Sequence, residues 1–156
     1  MKTSKRLEHA ITKLYIAFHN GTLNPESCKS CAVGNICENT DYWNYLTELH
    51  GSLELSYIGI LNENFRRRIH GYSPKELLRI EVEFLTGCGY SVPLTRKSIK
   101  PENPTDKNLL FQGLCNTVEF LCKLDNVPNV MDYSKLFEFE NDKPKYKLPQ
   151  FVNTDL

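Results

Sequence analysis

Three cysteines in one short polar stretch carry the clearest chemistry of this chain: Cys28-Lys29-Ser30-Cys31-Ala32-Val33-Gly34-Asn35-Ile36-Cys37, a C-x2-C-x5-C run. Two intervening residues let both sulfurs face one centre. They also turn the N–H groups between them inward, where they can donate to thiolate or sulfide. Five more residues, with Gly34 and Asn35 able to take positive φ, make a second turn that returns Cys37 to the same centre. Three thiolates at one centre repel, so a cation or an iron–sulfur core has to neutralise them, with Lys29 and the loop amides contributing.

Both kinds of centre take four ligands as a rule: zinc in sets of four cysteines or three cysteines and a histidine, iron–sulfur clusters in sets of four cysteines. Cys88 stands between Gly87 and Gly89 at an expected helix end, where flanking glycines allow close backbone approach. Cys115 and Cys122 fall on the apolar face of one expected helix, about 10.5 Å apart by helix rise. That separation excludes a disulfide between them. Either alone could serve as a ligand, although cysteine is also a small core hydrophobe. His50, before Gly51, would complete a zinc site with the loop cysteines; a histidine at a helix end is also favoured by the helix dipole. His9, His19 and His70 have no motif around them. The preferred set is Cys28, Cys31, Cys37 and Cys88 around a [4Fe-4S] cluster, with Zn2+ as the competing occupant.

The loop resembles the iron–sulfur loop of the endonuclease III and adenine glycosylase family, whose C-x6-C-x2-C-x5-C pattern surrounds a [4Fe-4S] cluster. The last three cysteines of that pattern match Cys28, Cys31 and Cys37, with small and apolar residues between Cys31 and Cys37. Where the family has its first cysteine this chain has Gly21, so a fourth ligand comes from elsewhere. Val127-Pro128-Asn129-Val130-Met131 resembles the hairpin of a helix-hairpin-helix DNA motif, but Asn129 and Met131 replace its glycines, and it reads as an interhelical turn. The whole chain is similar to small proteins that carry the name of the ferredoxin- and flavin-bearing component of the sodium-translocating NADH:quinone reductase. That resemblance implies electron transfer, yet the chain has no flavin domain and no dinucleotide glycine fingerprint.

Positioning these residues falls to an ordinary-sized domain. The chain has 156 residues, enough for one core without disulfides, and 19 Lys+Arg balance 19 Asp+Glu. Zero net charge excludes a strongly basic nucleic-acid binder and leaves only local patches, of which Arg66-Arg67-Arg68 is the candidate. A protein redox partner is therefore the expected one. No run of apolar residues is long enough for a membrane span, and Glu8, His9 and Lys13 interrupt a signal-peptide core. A cytoplasmic location is expected, where clustered cysteines serve as metal or redox groups. There is no Walker loop, G-x-S-x-G or H-E-x-x-H, so no enzymatic reaction is assigned.

The elements read as all-α, a single irregular helical bundle with a cysteine loop after the first helix. Leu7, Ala10, Ile11, Leu14, Tyr15 and Phe18 repeat at helical spacing until Asn20-Gly21. Residues 21–39 read as loop. Tyr42, Tyr45, Leu46 and Leu49 predict a helix stopped by His50-Gly51. In 52–69, helical spacing competes with the alternation Leu53-Glu54-Leu55-Ser56-Tyr57, and helix is preferred. Ser73-Pro74-Lys75-Glu76 is a capping box opening a helix to Gly87. Residues 90–104, with three prolines, form a linker, and Thr105 or Asp106 caps a helix carrying Phe111, Leu114, Val118 and Leu121. Asp132 caps a short helix to about Glu140. Residues 1–142 form the domain and 143–156 a mobile tail.

Overall fold

The computed structural model describes residues 4–95 and 97–127. Those residues form six helices: α1 (Lys5–Asn20), α2 (Ala32–Ile36), α3 (Tyr42–Leu46), α4 (Tyr57–Asn64), α5 (Pro74–Gly87) and α6 (Lys107–Leu124). The fold is all-α. The helix expected from Asp132, the hairpin-like turn beyond Val127 and the tail 143–156 lie outside the described residues.

The long helices follow local chemistry. Ser4 caps α1 by accepting from the Leu7 N–H, and Gly21, at φ 72°, closes it in the left-handed conformation that glycine adopts without a Cβ penalty. The predicted face of α1 is buried from Leu7 to Phe18. The capping box at Ser73 forms as read: Ser73 accepts from the Glu76 N–H, and Glu76 accepts from the Ser73 N–H at 2.9 Å. Asp106 caps α6, accepting from the Asn108 and Leu109 N–H groups.

Helix α5 is the hub, touching α2, α4 and α6, while α1 packs on α2 and α6. Side chains from α1, α2, α3, α5 and α6 merge into a single core, from Leu7 and Phe18 through Trp43 and Tyr72 to Phe84, Leu114 and Leu121. The α5–α6 crossing is close because both helices present glycine. A Cβ on Gly87 would lie 2.7 Å from the Gly113 Cα, and a Cβ on Gly113 would lie 2.4 Å from the Cys88 Sγ.

Three elements differ from the sequence reading. The stretch 21–39 contains α2, because Cys31 caps it through its sulfur, which accepts from the Gly34 N–H at 3.3 Å, and Ala32, Val33 and Ile36 bury themselves. α3 ends at Leu46, not His50: Thr47 instead pairs with Leu55 in an antiparallel bridge. The preferred helix in 52–69 forms, but only as α4, capped by Ser56, and of the alternating residues Leu55 alone takes part in that bridge. Position 59 requires glycine, since a Cβ there would sit 2.1 Å from the Leu46 carbonyl oxygen. Among the described residues no helix is long and apolar enough to cross a membrane.

Candidate metal centre

Four segments converge beneath the cysteine loop. Cys28 lies before α2, Cys31 caps it, His50 sits in the turn between α3 and α4, and Glu81 belongs to α5. The loop holds its shape through glycine and amide side chains. A Cβ on Gly34 would lie 2.2 Å from the Cys28 carbonyl oxygen, so only glycine lets α2 rest on the 28–29 backbone. Asn35 donates to the carbonyls of Ser30 (3.0 Å) and Cys31 (2.9 Å), and Asn39 donates to that of Lys29 (2.8 Å). Gly34 and Asn35 do not take the positive φ expected of them; Glu38 (63°) and Asn39 (59°) do, just after α2, because the helix occupies the place of the expected second turn.

The Cys28 Sγ is 3.2 Å from His50 Nδ1, and His50 Nε2 is 2.6 Å from the Pro25 carbonyl oxygen. A carbonyl only accepts, so Nε2 carries a hydrogen, and Nδ1 is the nitrogen that faces Cys28 and is free for a metal once its own proton is lost. Ligand atoms of Cys31, His50 and Glu81 all lie within 4.8 Å of one another. Glu81 is 2% exposed. Its Oε1 accepts from the Val33 N–H at 3.2 Å, whereas its Oε2 is buried with no hydrogen-bond partner among the described residues. A buried carboxylate oxygen without a partner is costly unless a cation or donor meets it.

Electrostatics carry the same message. Burial pushes the Cys31 thiol well above the usual range, and the nearby Glu81 charge pushes it further, against the help of the Gly34 N–H. Burial and then Glu81 likewise raise Cys37, to about 12, and Cys88. Burial raises the Glu81 carboxyl, with His50, Cys31 and the Val33 N–H opposing. Burial alone would lower His50; the contact with Cys28, the Glu81 charge and the Pro25 carbonyl outweigh it and lift the imidazole to about 9. Without a cation, then, the buried thiols stay neutral. A metal ion would stabilise their thiolates and satisfy the orphaned oxygen together.

Cys31 therefore meets His50 and Glu81, and Cys28 joins them through its contact with His50 while itself lying outside the 4.8 Å group. Cys37 closes α2 and is buried within the field of Glu81, but lies outside the 4.8 Å group. Cys88 caps the end of α5 as its glycine neighbours suggested, and its sulfur rests against Gly113 of α6. Cys115 and Cys122 stay on α6, half-buried and buried respectively. Lys29 pairs with Asp41 at 3.5 Å. The arginine run follows the end of α4 at Phe65, and Arg68 donates to the Gly71 carbonyl (3.1 Å) and to Glu76 (3.2 Å). Glu81 is the residue that sequence reasoning missed. Its signal was visible: it stands on the apolar face of α5 with Leu77, Phe84 and Leu85. Comparison with protein-family models, curated proteins and solved structures finds no match to this chain.

Proposed function

We propose that this protein is a small helical metal-binding module with a mononuclear centre for a borderline-soft divalent cation, Zn2+ above all, held by Cys28, Cys31, His50 and Glu81. The observation that carries the reading is the buried, unpartnered Glu81 Oε2 beside Cys31 and His50. The second is the His50 orientation: an imidazole whose other nitrogen donates to a backbone carbonyl is the usual support of a metal-bound histidine. Two sulfurs, one nitrogen and one oxygen make a complete tetrahedral set for zinc. No position is left open for a substrate, so the centre is structural. It ties the cysteine loop, α2 and the turn after α3 to α5, and the module works through its surface as an interaction partner for protein. Tyr45, Leu49, Tyr57 and Phe65, each at least 60% exposed, are what that surface offers.

The second reading is the expected iron–sulfur protein, with a [4Fe-4S] cluster on Cys28, Cys31, Cys37 and Cys88 and a role in electron transfer or redox sensing through a protein partner. In its favour, Cys31, Cys37 and Cys88 are all buried within the field of one carboxylate. It requires His50 and Glu81 to leave the centre and the Cys88 sulfur to leave Gly113.

Metal analysis and an absorption spectrum on protein purified without oxygen decide between them. One zinc per chain, no visible colour and a melting temperature lowered by chelator support the mononuclear centre, as does loss of zinc in His50→Ala but not Cys88→Ser. About four iron atoms with broad visible absorbance would replace it with the cluster. No stoichiometric metal of either kind sinks both.

A further inference from the structure

A second set of ligands lies elsewhere, sharing no residue with the cysteine centre. His9 on α1, Glu38 after α2 and His70 before α5 bring two imidazoles and a carboxylate together, their ligand atoms all within 4.8 Å of one another. His9 Nε2 is 2.6 Å from Glu38 Oε1. The His9 and His70 rings stack with centroids 4.6 Å apart and planes 10° from parallel. Lys13 holds the other carboxylate oxygen, Oε2, at 3.3 Å, which fixes the orientation of Glu38 and leaves Oε1 toward the histidines.

Three features call for more than packing. His9 Nδ1 is buried with no hydrogen-bond partner among the described residues, so the His9 ring is held in place mainly by its Nε2 contact and its stacking. Glu38 (φ 63°) and His70 (φ 51°) both take left-handed backbone, which side-chain-bearing residues seldom adopt and which recurs at ligand sites. The near-parallel stack holds both imidazoles together beside the Glu38 carboxylate, and imidazole nitrogens are common metal ligands.

We propose that His9, Glu38 and His70 form a surface site for a divalent transition cation such as Ni2+, Zn2+ or Cu2+, with two imidazoles and one carboxylate as ligands. Imidazole suits these ions, and a set of three protein ligands leaves coordination positions open. Binding replaces the His9–Glu38 hydrogen bond; the hydrogen of a neutral His9 moves from Nε2 to Nδ1, so the ring stays neutral as it takes the metal. His9 and His70 also line a cavity of about 270 Å3 together with Lys5, Arg6 and Gly71. Its cations weaken the bare metal site but favour an anion as a further ligand of the bound ion.

The test titrates the full chain with Ni2+ after its cysteine centre has been given one equivalent of Zn2+. Calorimetry should find one Ni2+ per chain, with the His9 and His70 resonances broadened first by the paramagnetic ion. His70→Asn, which tolerates left-handed backbone, and His9→Gln should each weaken binding by at least the roughly 10-fold that even an outer-sphere partner is worth. Cys31→Ser should leave it unchanged, whatever it does to the zinc. If His70→Asn binds Ni2+ as the parent does, or if Cys31→Ser abolishes the binding, the surface site is overturned. Circular dichroism melts confirm that each variant is folded before it is scored.

Discussion

Glu81 concentrates the tension of this molecule in one side chain. It sits on the core face of α5, where Leu77 and Phe84 belong, and one of its oxygens has no partner among the described residues. If a cation answers it, Glu81→Gln keeps the acceptor for the Val33 N–H but removes the charge. Metal affinity should then fall roughly 10-fold or more while the metal-free melting temperature does not fall. Calorimetry, with melts run with and without chelator, measures both. His50 gives a pH dependence with a definite sign. Its folded form holds a proton up to about 9 against an ordinary 6.5, so in the metal-free protein its contribution is fully present below pH 6.5 and lost as pH rises through 9. The raised Glu81 acts in the same direction. Metal-free protein should therefore melt lower at pH 9 than at pH 6, on the order of 5 °C. Metal-loaded protein should gain relative to it over the same range, because its ligands must be deprotonated. His50→Gln should flatten the first trend.

At the scale of elements, glycine sets how closely helices meet. α5 and α6 cross at Gly87 and Gly113, and the Cys88 sulfur occupies the space a Cβ on Gly113 would need. Gly113→Ala should cost about 1–3 kcal/mol in urea unfolding. Cys88→Ala in that background should recover part of the loss, a non-additivity that separates a steric clash from a general helix effect. The same comparison bears on the cluster reading, since a Cys88 committed to a cluster could not be removed at so small a cost. The capping box is an independent check: Ser73→Ala should cost about 1 kcal/mol.

At the scale of the whole molecule, Arg6 joins parts of the chain that are far apart in sequence. Its guanidinium contacts Asp125 at 2.6 Å, the Gly71 carbonyl at 2.9 Å and Glu76 at 3.4 Å, and lies 4.7 Å from the centre of the Tyr72 ring. The start of α1, the turn into α5 and the end of α6 are thereby held at one point. Arg6→Ala should cost on the order of 1–3 kcal/mol, and Arg6→Lys should not restore it, because an ammonium has neither the planar fork nor the reach to several acceptors. A chemical denaturation curve for each variant measures this directly.

Local chemistry was legible from the residues alone. The apolar face of α1, the capping box at Ser73 and the Asp106 cap are written in neighbours three or four positions apart, and they form where they were expected. The C-x2-C pair was legible for the same reason. What lay beyond reach depends on long separations. His50 comes to Cys28 from 22 residues away, and Glu81 comes to Val33 from 48 away. The short α2 and the Thr47–Leu55 bridge exist because burial against other segments overrides weak local preference. Sequence by itself determined an all-helical chain with three cysteines gathered in one short loop. Only the tertiary structure decided which residues face that loop, since the distance between them is set by how α5 packs under α2 and not by their spacing along the chain.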